Sequence, residues 1–342
     1  MSSDTLSTIR INFDTIVFDV ITFELPKELI AQRPANPRDS ARLLIYDRKD
    51  RSIKDSIFSD LEIHLSQDTT LVLNNSKVEN CRLLFPISKL EVFVLNKLDT
   101  NTVLAMVQPG RKFKLGQVVE LAEGIKATVK EIDDNGYRTL VLNVSHDDQR
   151  LKAFDHVPLP PYIAQNDSLA SGYQTVYADP LGSKAAPTAG LHFTANLLEQ
   201  IKKTHTISKV TLHVGLGTFA SPTDEQIKSK HLHPEHYSIS DDNLKLILKS
   251  DHRTAVGTTS ARTLESFAQT GENEGSTDIF IQPGYKFKLT DSLITNFHLP
   301  GTSLLMLVES MVGSEDELKR VYDHAILNEY RFYSFGDAML IK

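Results

Sequence analysis

The chain holds one cysteine, Cys81, and no tryptophan among its 342 residues. A single cysteine excludes an intrachain disulfide and a cysteine-based zinc cluster. The apolar neighbours of Cys81 predict a buried, inert thiol. Positive charge is also in short supply: 37 Lys and Arg face 44 Asp and Glu, for a formal net charge of −7. That balance excludes a protein that coats nucleic acid through bulk charge, while leaving room for a local basic patch. No apolar run is long enough to span a bilayer. The opening residues, Met1 to Asn12, are polar, so no secretion signal is read there, and Met1 to Arg10 are expected to form a loose tail. A reducing, cytoplasmic setting is the expectation. Neither G-x-G-x-x-G, nor the P-loop pattern, nor H-E-x-x-H occurs, which argues against a Rossmann dinucleotide site, a nucleotide triphosphatase and a zincin.

What is present is a globular composition, 40% apolar and 24% charged, long enough for one large or two ordinary domains. From about residue 70 to Val144, short β-rich runs alternate with turns, and Asp134-Asn135-Gly136 between two of them is a strong hairpin signal. Residues 66–155 are therefore expected to form a small all-β, barrel-like domain. It would interrupt a large α/β domain made of 1–65 and 156–342, where strands and helices alternate. Helices are expected over Ile53 to Leu65, Ala195 to Lys203, Asp241 to Ser250, Ala261 to Ala268, Thr302 to Met311 and Glu315 to Glu329. Strands are expected at Leu43 to Tyr46, Thr70 to Leu73, Lys209 to Val214, Thr254 to Gly257, Asp278 to Ile281, Leu293 to Thr295 and Ala338 to Ile341.

The chain is organised around AAPTAGLHFT, Ala185 to Thr194. This run of small residues carries His192 into a helix for which Thr194 is the expected N-cap. Small residues let a ligand approach the main chain, and a helix start favours an anionic group. The other loops that follow strands are also polar. They hold His213 with Gly215 and Gly217, then Thr258-Thr259-Ser260 with Arg262, then Asn296 with His298. In an open α/β sheet such loops line the carboxyl edge, where ligands sit. One hydroxyl of the Thr-Thr-Ser run is expected to cap its helix, and Arg262 and Glu265 could simply pair with each other. In His231-Leu232-His233-Pro234-Glu235-His236, alternation would put His231, His233 and Glu235 on one face. They could form an acid–base group or a metal site, and metal is the lesser choice. Arg33, Arg38, Asp39 and Arg42 crowd a polar segment that could hold a phosphate or carboxylate. The turn Pro109-Gly110-Arg111-Lys112-Phe113-Lys114 could touch a phosphate backbone.

Taken in order, eleven segments resemble the S-adenosylmethionine:tRNA ribosyltransferase-isomerase family of queuosine biosynthesis. They are LPKELIAQRPANPRDSARLL (Leu25 to Leu44), LVLNNSKVENCRL (Leu71 to Leu83), VPLPPYI (Val157 to Ile163), YQTVYA (Tyr173 to Ala178), AAPTAGLHFT, TLHVGLGTF (Thr211 to Phe219), HLHPE (His231 to Glu235), VGTTSARTLE (Val256 to Glu265), IFIQPGYKF (Ile279 to Phe287), TNFHLPGTSLLMLV (Thr295 to Val308) and YRFYSFGDAMLI (Tyr330 to Ile341). Each alone is unspecific; the ordered set is specific.

The resemblance implies a large α/β domain interrupted by a small β-barrel. It implies S-adenosylmethionine as ribosyl donor, with no metal, and a tRNA acceptor carrying 7-aminomethyl-7-deazaguanine at the wobble position. The products would be epoxyqueuosine-tRNA, adenine and methionine. A monomer without membrane association is expected. A proton beside the sulfonium must be removed, and adenine leaves more readily if protonated or hydrogen-bonded. His192 or His213 is the expected proton-transfer group, with His231, His233 and Glu235 in support. Thr258, Thr259 and Arg262 would bind the methionine or ribose end, and Asn296 and His298 a base. The motif positions Arg42, Asn74, Asn75, Tyr173, Gln174, Pro187, Thr188, Gly190, Gly215 and Gly217 complete the expected substrate-binding set.

Some positions depart from the family pattern. The acidic, arginine-rich segment before YQTVYA is replaced by Asn166 to Gly172, arginine after GLGTF by Ala220, and lysine after NFHLP by Gly301. Lys184 stands where a small or apolar residue is usual. Lost positive charge bears on tRNA docking. The alternative reading is a diverged paralogue, either a transferase with another acceptor or a non-catalytic tRNA- or nucleoside-binding protein.

Overall fold

The computed structural model describes residues 23–163, 166–215 and 222–342, apart from the side chain of residue 167. The expected N-terminal tail, Gly217 and Ala220 lie outside the described residues.

Two compact units emerge: Met1–Lys77 with Gln174–Pro180 and Ala186–Lys342, and Val78–Tyr173 with Leu181–Ala185. The larger unit is built on a nine-stranded mixed sheet. Its strands are β1 (Arg42–Asp47), β2 (Ser52–Ile57), β3 (Thr69–Asn74), β4 (Thr206–Leu212), β5 (His231–Ser238), β6 (His252–Val256), β7 (Glu274–Ile279), β8 (Ser292–Asn296) and β9 (Ala338–Ile341), in the order β7-β5-β4-β3-β6-β8-β9-β1-β2. At its centre β4, β3, β6 and β8 run parallel. The flanking pairs β4–β5, β5–β7, β8–β9 and β1–β2 are antiparallel.

Central strands covered on both faces should be buried, and Thr69–Asn74 and Ser292–Asn296 are buried along their whole length. Leu44, Tyr46, Val72, Ala255 and Leu293 join one core cluster, with Ala261, Leu264, Val308 and Val321 from the helices Thr258–Thr270, Ser303–Val312 and Glu315–Leu327. Leu43, Ile45, Leu71, Leu73, Val256 and Ile294 join the other, with Phe58, Phe193, Leu197 and Ile201. The smaller unit holds a curled antiparallel half-barrel of seven strands in the order 155–156, 82–85, 90–97, 102–108, 138–142, 125–132, 118–122.

Several expectations need correction. The strand Thr69–Asn74 lies at the middle of the large sheet, so the larger unit extends to Lys77 rather than to residue 65. Ile53 to Leu65 is not one helix. Ser52–Ile57 pairs with β1, and only the short segments Phe58–Asp60 and Leu61–His64 are helical. The helix expected over Asp241 to Ser250 runs Asp241–Lys249, capped by Ser240, whose side chain accepts from the Asn243 N–H. The departing residue Lys184 is explained within the smaller unit, where its ammonium pairs with Glu79.

Candidate functional site

Because the four central strands are parallel, Asn74, Leu212, Val256 and Asn296 end them on one edge. The loop residues that follow are those singled out from the sequence. They gather into two groups along this edge, and some of them turn away.

The first group surrounds His192. The 3-10 turn Thr188–His192 starts after Pro187 and leads into the helix Ala195–Ile201. Thr194 caps that helix by accepting from the Leu197 N–H, and its hydroxyl donates to Asp39 at 2.6 Å. His192 is only 4% exposed, its ring centroid 5.0 Å from that of Phe58. Asn296 Nδ2 lies 3.1 Å from His192 Nε2 and 3.2 Å from the Tyr333 carbonyl. A carbonyl only accepts, so the Tyr333 contact fixes the amide nitrogen on that side. His192 Nε2 must then accept as well, and the neutral ring carries its proton on Nδ1. Burial pushes the His192 pKa down to about 4; Asp337 opposes this, while Arg331 and Arg38 add to it. A small cleft lined by Pro34, Arg38, His192, Phe335 and Gly336 has room for about one water. Arg38 also donates to the Gln174 carbonyl at 2.6 Å.

The second group surrounds a buried ion pair. Arg262 Nη1 bonds Glu235 Oε2, and both side chains are buried. The Gly215 N–H donates to Glu235 Oε1 at 2.7 Å, and Arg262 Nε to the Ile279 carbonyl at 3.3 Å. Arg262 Nη2 is buried with no hydrogen-bond partner, so the guanidinium keeps one direction for an acceptor from outside the protein. Between the groups Asn74 is saturated. Its Nδ2 donates to the Leu212 carbonyl and to Thr259 Oγ1, and its Oδ1 accepts from the Ser76 and Leu212 N–H groups. It clamps β3, β4 and the helix Thr258–Thr270 together, with no hydrogen-bonding position left for a ligand. Asn75 Oδ1 accepts from the Thr211 hydroxyl at 2.7 Å.

That helix begins three residues before the expected Ala261, and its N-cap is Gly257, at φ +88°. None of the hydroxyls caps it: Ser260 and Thr263 bond to the carbonyls of Val256 and Thr259. Nor do Arg262 and Glu265 pair. Glu265 accepts from the Lys288 and Leu289 N–H groups and from the Thr290 and Tyr285 hydroxyls, which fastens the 285–290 loop.

The three-residue face of His231, His233 and Glu235 does not form. The register slips between His231 and Glu235, where Pro234 has no N–H to give the ladder. Glu235 turns inward, and His231 and His233 are exposed. His231 Nδ1 sits 2.9 Å from Asp278. His213 stays near the edge; its N–H donates to the His236 carbonyl and its ring stacks on that of His236 with centroids 6.5 Å apart. His298 turns to the Thr295 hydroxyl at 2.7 Å, and burial lowers its pKa to about 4 although part of the residue reaches the surface. Arg42 lies 3.8 Å over the Tyr330 ring and bonds the Asn328 carbonyl. Tyr173 is buried in the smaller unit. Gly190 faces protein: a Cβ there would fall 2.0 Å from Tyr177 Oη and 2.9 Å from Thr175 Cγ2. Sequence reasoning left Tyr177 and Thr175 unassigned, although both stand in YQTVYA, and it gave Arg38 no role at the His192 cleft.

A parallel sheet centre, with an imidazole, a buried Arg–Glu pair and hydroxyls drawn to its carboxyl edge, defines an α/β protein with an enzyme-like ligand edge. The model of the queuosine biosynthesis protein family matches residues 18–341. Among curated proteins, the chain is 44% identical to the S-adenosylmethionine:tRNA ribosyltransferase-isomerase of Sulfurihydrogenibium sp., covering 93% of this chain and 98% of that one. It is 42% identical to the protein of the same name from Thermosipho africanus, with the same coverage. The crystal structure of S-adenosylmethionine tRNA ribosyltransferase from Thermotoga maritima superposes with a TM-score of 0.54 at 34% identity, covering 94% of this chain and 99% of that one. This chain belongs to the queuosine biosynthesis protein family.

Proposed function

We propose that the chain transfers and isomerises the ribosyl group of S-adenosylmethionine onto a tRNA carrying 7-aminomethyl-7-deazaguanine, releasing adenine and methionine. The observation that carries this reading is the His192–Asn296 pair at the carboxyl edge of a chain that matches its ribosyltransferase-isomerase relatives over nearly its whole length. The alternative of a paralogue with another acceptor, or without catalysis, is not favoured by matches of 39% to 44% identity that all carry one enzyme name. The tRNA places its working setting in the cytoplasm, and among the described residues no helix is long and apolar enough to cross a membrane.

The burial of each ring supports a division of the roles that the sequence left between two histidines. A ring that stays neutral down to about pH 4 stores no proton for a leaving group. His192 therefore acts as a neutral donor, offering Nδ1–H to the departing adenine. His213, half-exposed at the end of β4, takes the proton from the carbon beside the sulfonium. Arg262 offers its unpartnered Nη2 to the methionine carboxylate, with Glu235 holding the guanidinium in place. Thr258, buried at the helix start, is assigned to the ribose or methionine end.

The test is to mix the purified protein with S-adenosylmethionine and the modified tRNA, then follow free adenine and the mass of the tRNA. Adenine together with a tRNA heavier by one ribosyl group is the expected result. Adenine without the added mass would point to another acceptor, and a folded protein giving neither would overturn the reading.

A further inference from the structure

Three buried side-chain oxygens without a hydrogen-bond partner lie around the turn Thr188–His192. They are Thr175 Oγ1, Tyr177 Oη and Asn296 Oδ1. The Tyr177 hydroxyl fills the notch left by the missing side chain of Gly190, and the Thr175 methyl packs beside it. Asn296 is tied to the same turn through His192. The turn-containing strap that carries the two hydroxyls is held at both ends: Arg38 grips the Gln174 carbonyl, and Asp179 and Pro180 bond the main chain of Asn75 and Lys77.

Buried oxygens without partners destabilise a fold, and each could be avoided simply. A phenylalanine at 177 would keep the ring beside Gly190 and give up only the tip that enters the notch, and a valine at 175 would keep the methyl contact. Packing uses the bulk of the Tyr177 hydroxyl but meets the hydrogen-bonding capacity of none of the three oxygens, which leaves that capacity to a ligand. The contacts of the Asn296 nitrogen with His192 and Tyr333 fix which way its amide is turned, and its Oδ1, a carbonyl oxygen, can only accept. The two hydroxyls can each donate or accept. A partner for all three must offer several donors and acceptors side by side, which is the character of vicinal hydroxyl groups.

We propose that Thr175, Tyr177 and the Asn296 carbonyl oxygen form a subsite for the 2′,3′-hydroxyls of the ribose in the adenosyl donor. This assignment rests on S-adenosylmethionine being the substrate, and it places the transferred sugar beside the His192 turn. The strap is then a wall of the site, and Gly190 is small so that the Tyr177 hydroxyl can reach it.

The full-length protein, Tyr177→Phe and Thr175→Val would each be titrated with S-adenosylhomocysteine and with its 2′,3′-dideoxy analogue, alongside thermal unfolding. The expected result is a midpoint temperature unchanged or raised in both variants, with S-adenosylhomocysteine bound about tenfold more weakly. The dideoxy analogue should bind wild type and variants alike, because the lost hydrogen bonds are the same ones. Unchanged affinity in the variants overturns the subsite while leaving the proposed function intact. So does an equal loss for both probes, which would mean that the substitutions disturb the site generally. Failure of the wild-type protein to bind either probe overturns both.

Discussion

Asn296 has one oxygen and one nitrogen to place beside His192, and the Tyr333 carbonyl decides which of them faces the ring. An acceptor at that point would reverse the logic. In Asn296→Asp a carboxylate meets Nε2, favours the imidazolium, and should raise the His192 pKa from about 4 to above the ordinary 6.5. NMR titration of the ring would show this, and a value still near 4 would mean that burial alone sets it. The low pKa also links to stability. The unfolded chain takes up the proton near 6.5 and the native protein only near 4, so the contribution of His192 is complete above pH 6.5 and lost as pH falls to about 4. That gap is worth at most about 3 kcal/mol. His298 adds a loss of the same sign. Asp155 and Glu309, raised to about 6 by burial, oppose both. The difference between wild type and His192→Gln in urea unfolding, followed from pH 7 to pH 4, isolates the one ring and should shrink toward acid. At the other end of the edge, Glu235→Ala leaves the buried Arg262 guanidinium without its counter-charge. It should cost about 3–5 kcal/mol in the same assay, whereas a loss below 1 kcal/mol would mean that water replaces the carboxylate.

Elements follow local chemistry where it is undivided. Thr194 caps its helix and is itself held by Asp39, so Thr194→Ala should lower stability by about 1 kcal/mol, read from the denaturation midpoint. The neighbouring turn is less forgiving. Gly190→Ala drives a methyl into the Tyr177 hydroxyl and should cost about 1–3 kcal/mol. The helices Ser303–Val312 and Glu315–Leu327 were legible in the sequence because Thr302 and Ser314 cap them and their apolar period is unbroken. The strand Ser52–Ile57 was not. Ile53, Ile57 and Leu61 recur every four residues and read as a helix, but the turn at Arg51, with φ +58°, sends the chain back along β1 and tertiary pairing prevails. The alternation of His231, His233 and Glu235 failed for a related reason, since a proline and a register slip are local events that period-two reasoning passes over. Motif order identified which loops matter. It could not tell that Asn74 is saturated while Arg262 and Tyr177 keep unpartnered atoms, because hydrogen-bond saturation depends on strands far apart in sequence.

At the scale of the whole molecule, a net charge of −7 must be reconciled with a polyanionic substrate. Bulk attraction is unfavourable, so tRNA binding has to rest on local clusters of positive charge. The half-barrel carries one, in the turn that holds Arg111 and Lys114; both are exposed, while Phe113 between them is buried and anchors the turn. Neither belongs to the carboxyl edge of the large sheet, so their charge can be removed without touching the donor site. Arg111→Ala with Lys114→Ala should raise the KM for tRNA and flatten the dependence of log KM on log salt by about one to two phosphate contacts. Binding of S-adenosylhomocysteine should be unaffected. A lost salt dependence with intact donor binding would assign the inserted unit to tRNA docking. An unchanged KM and slope would leave that turn as solvated surface and move the search to the larger unit, where Arg33, exposed beside Pro34, is the next position at which an anionic backbone could be held.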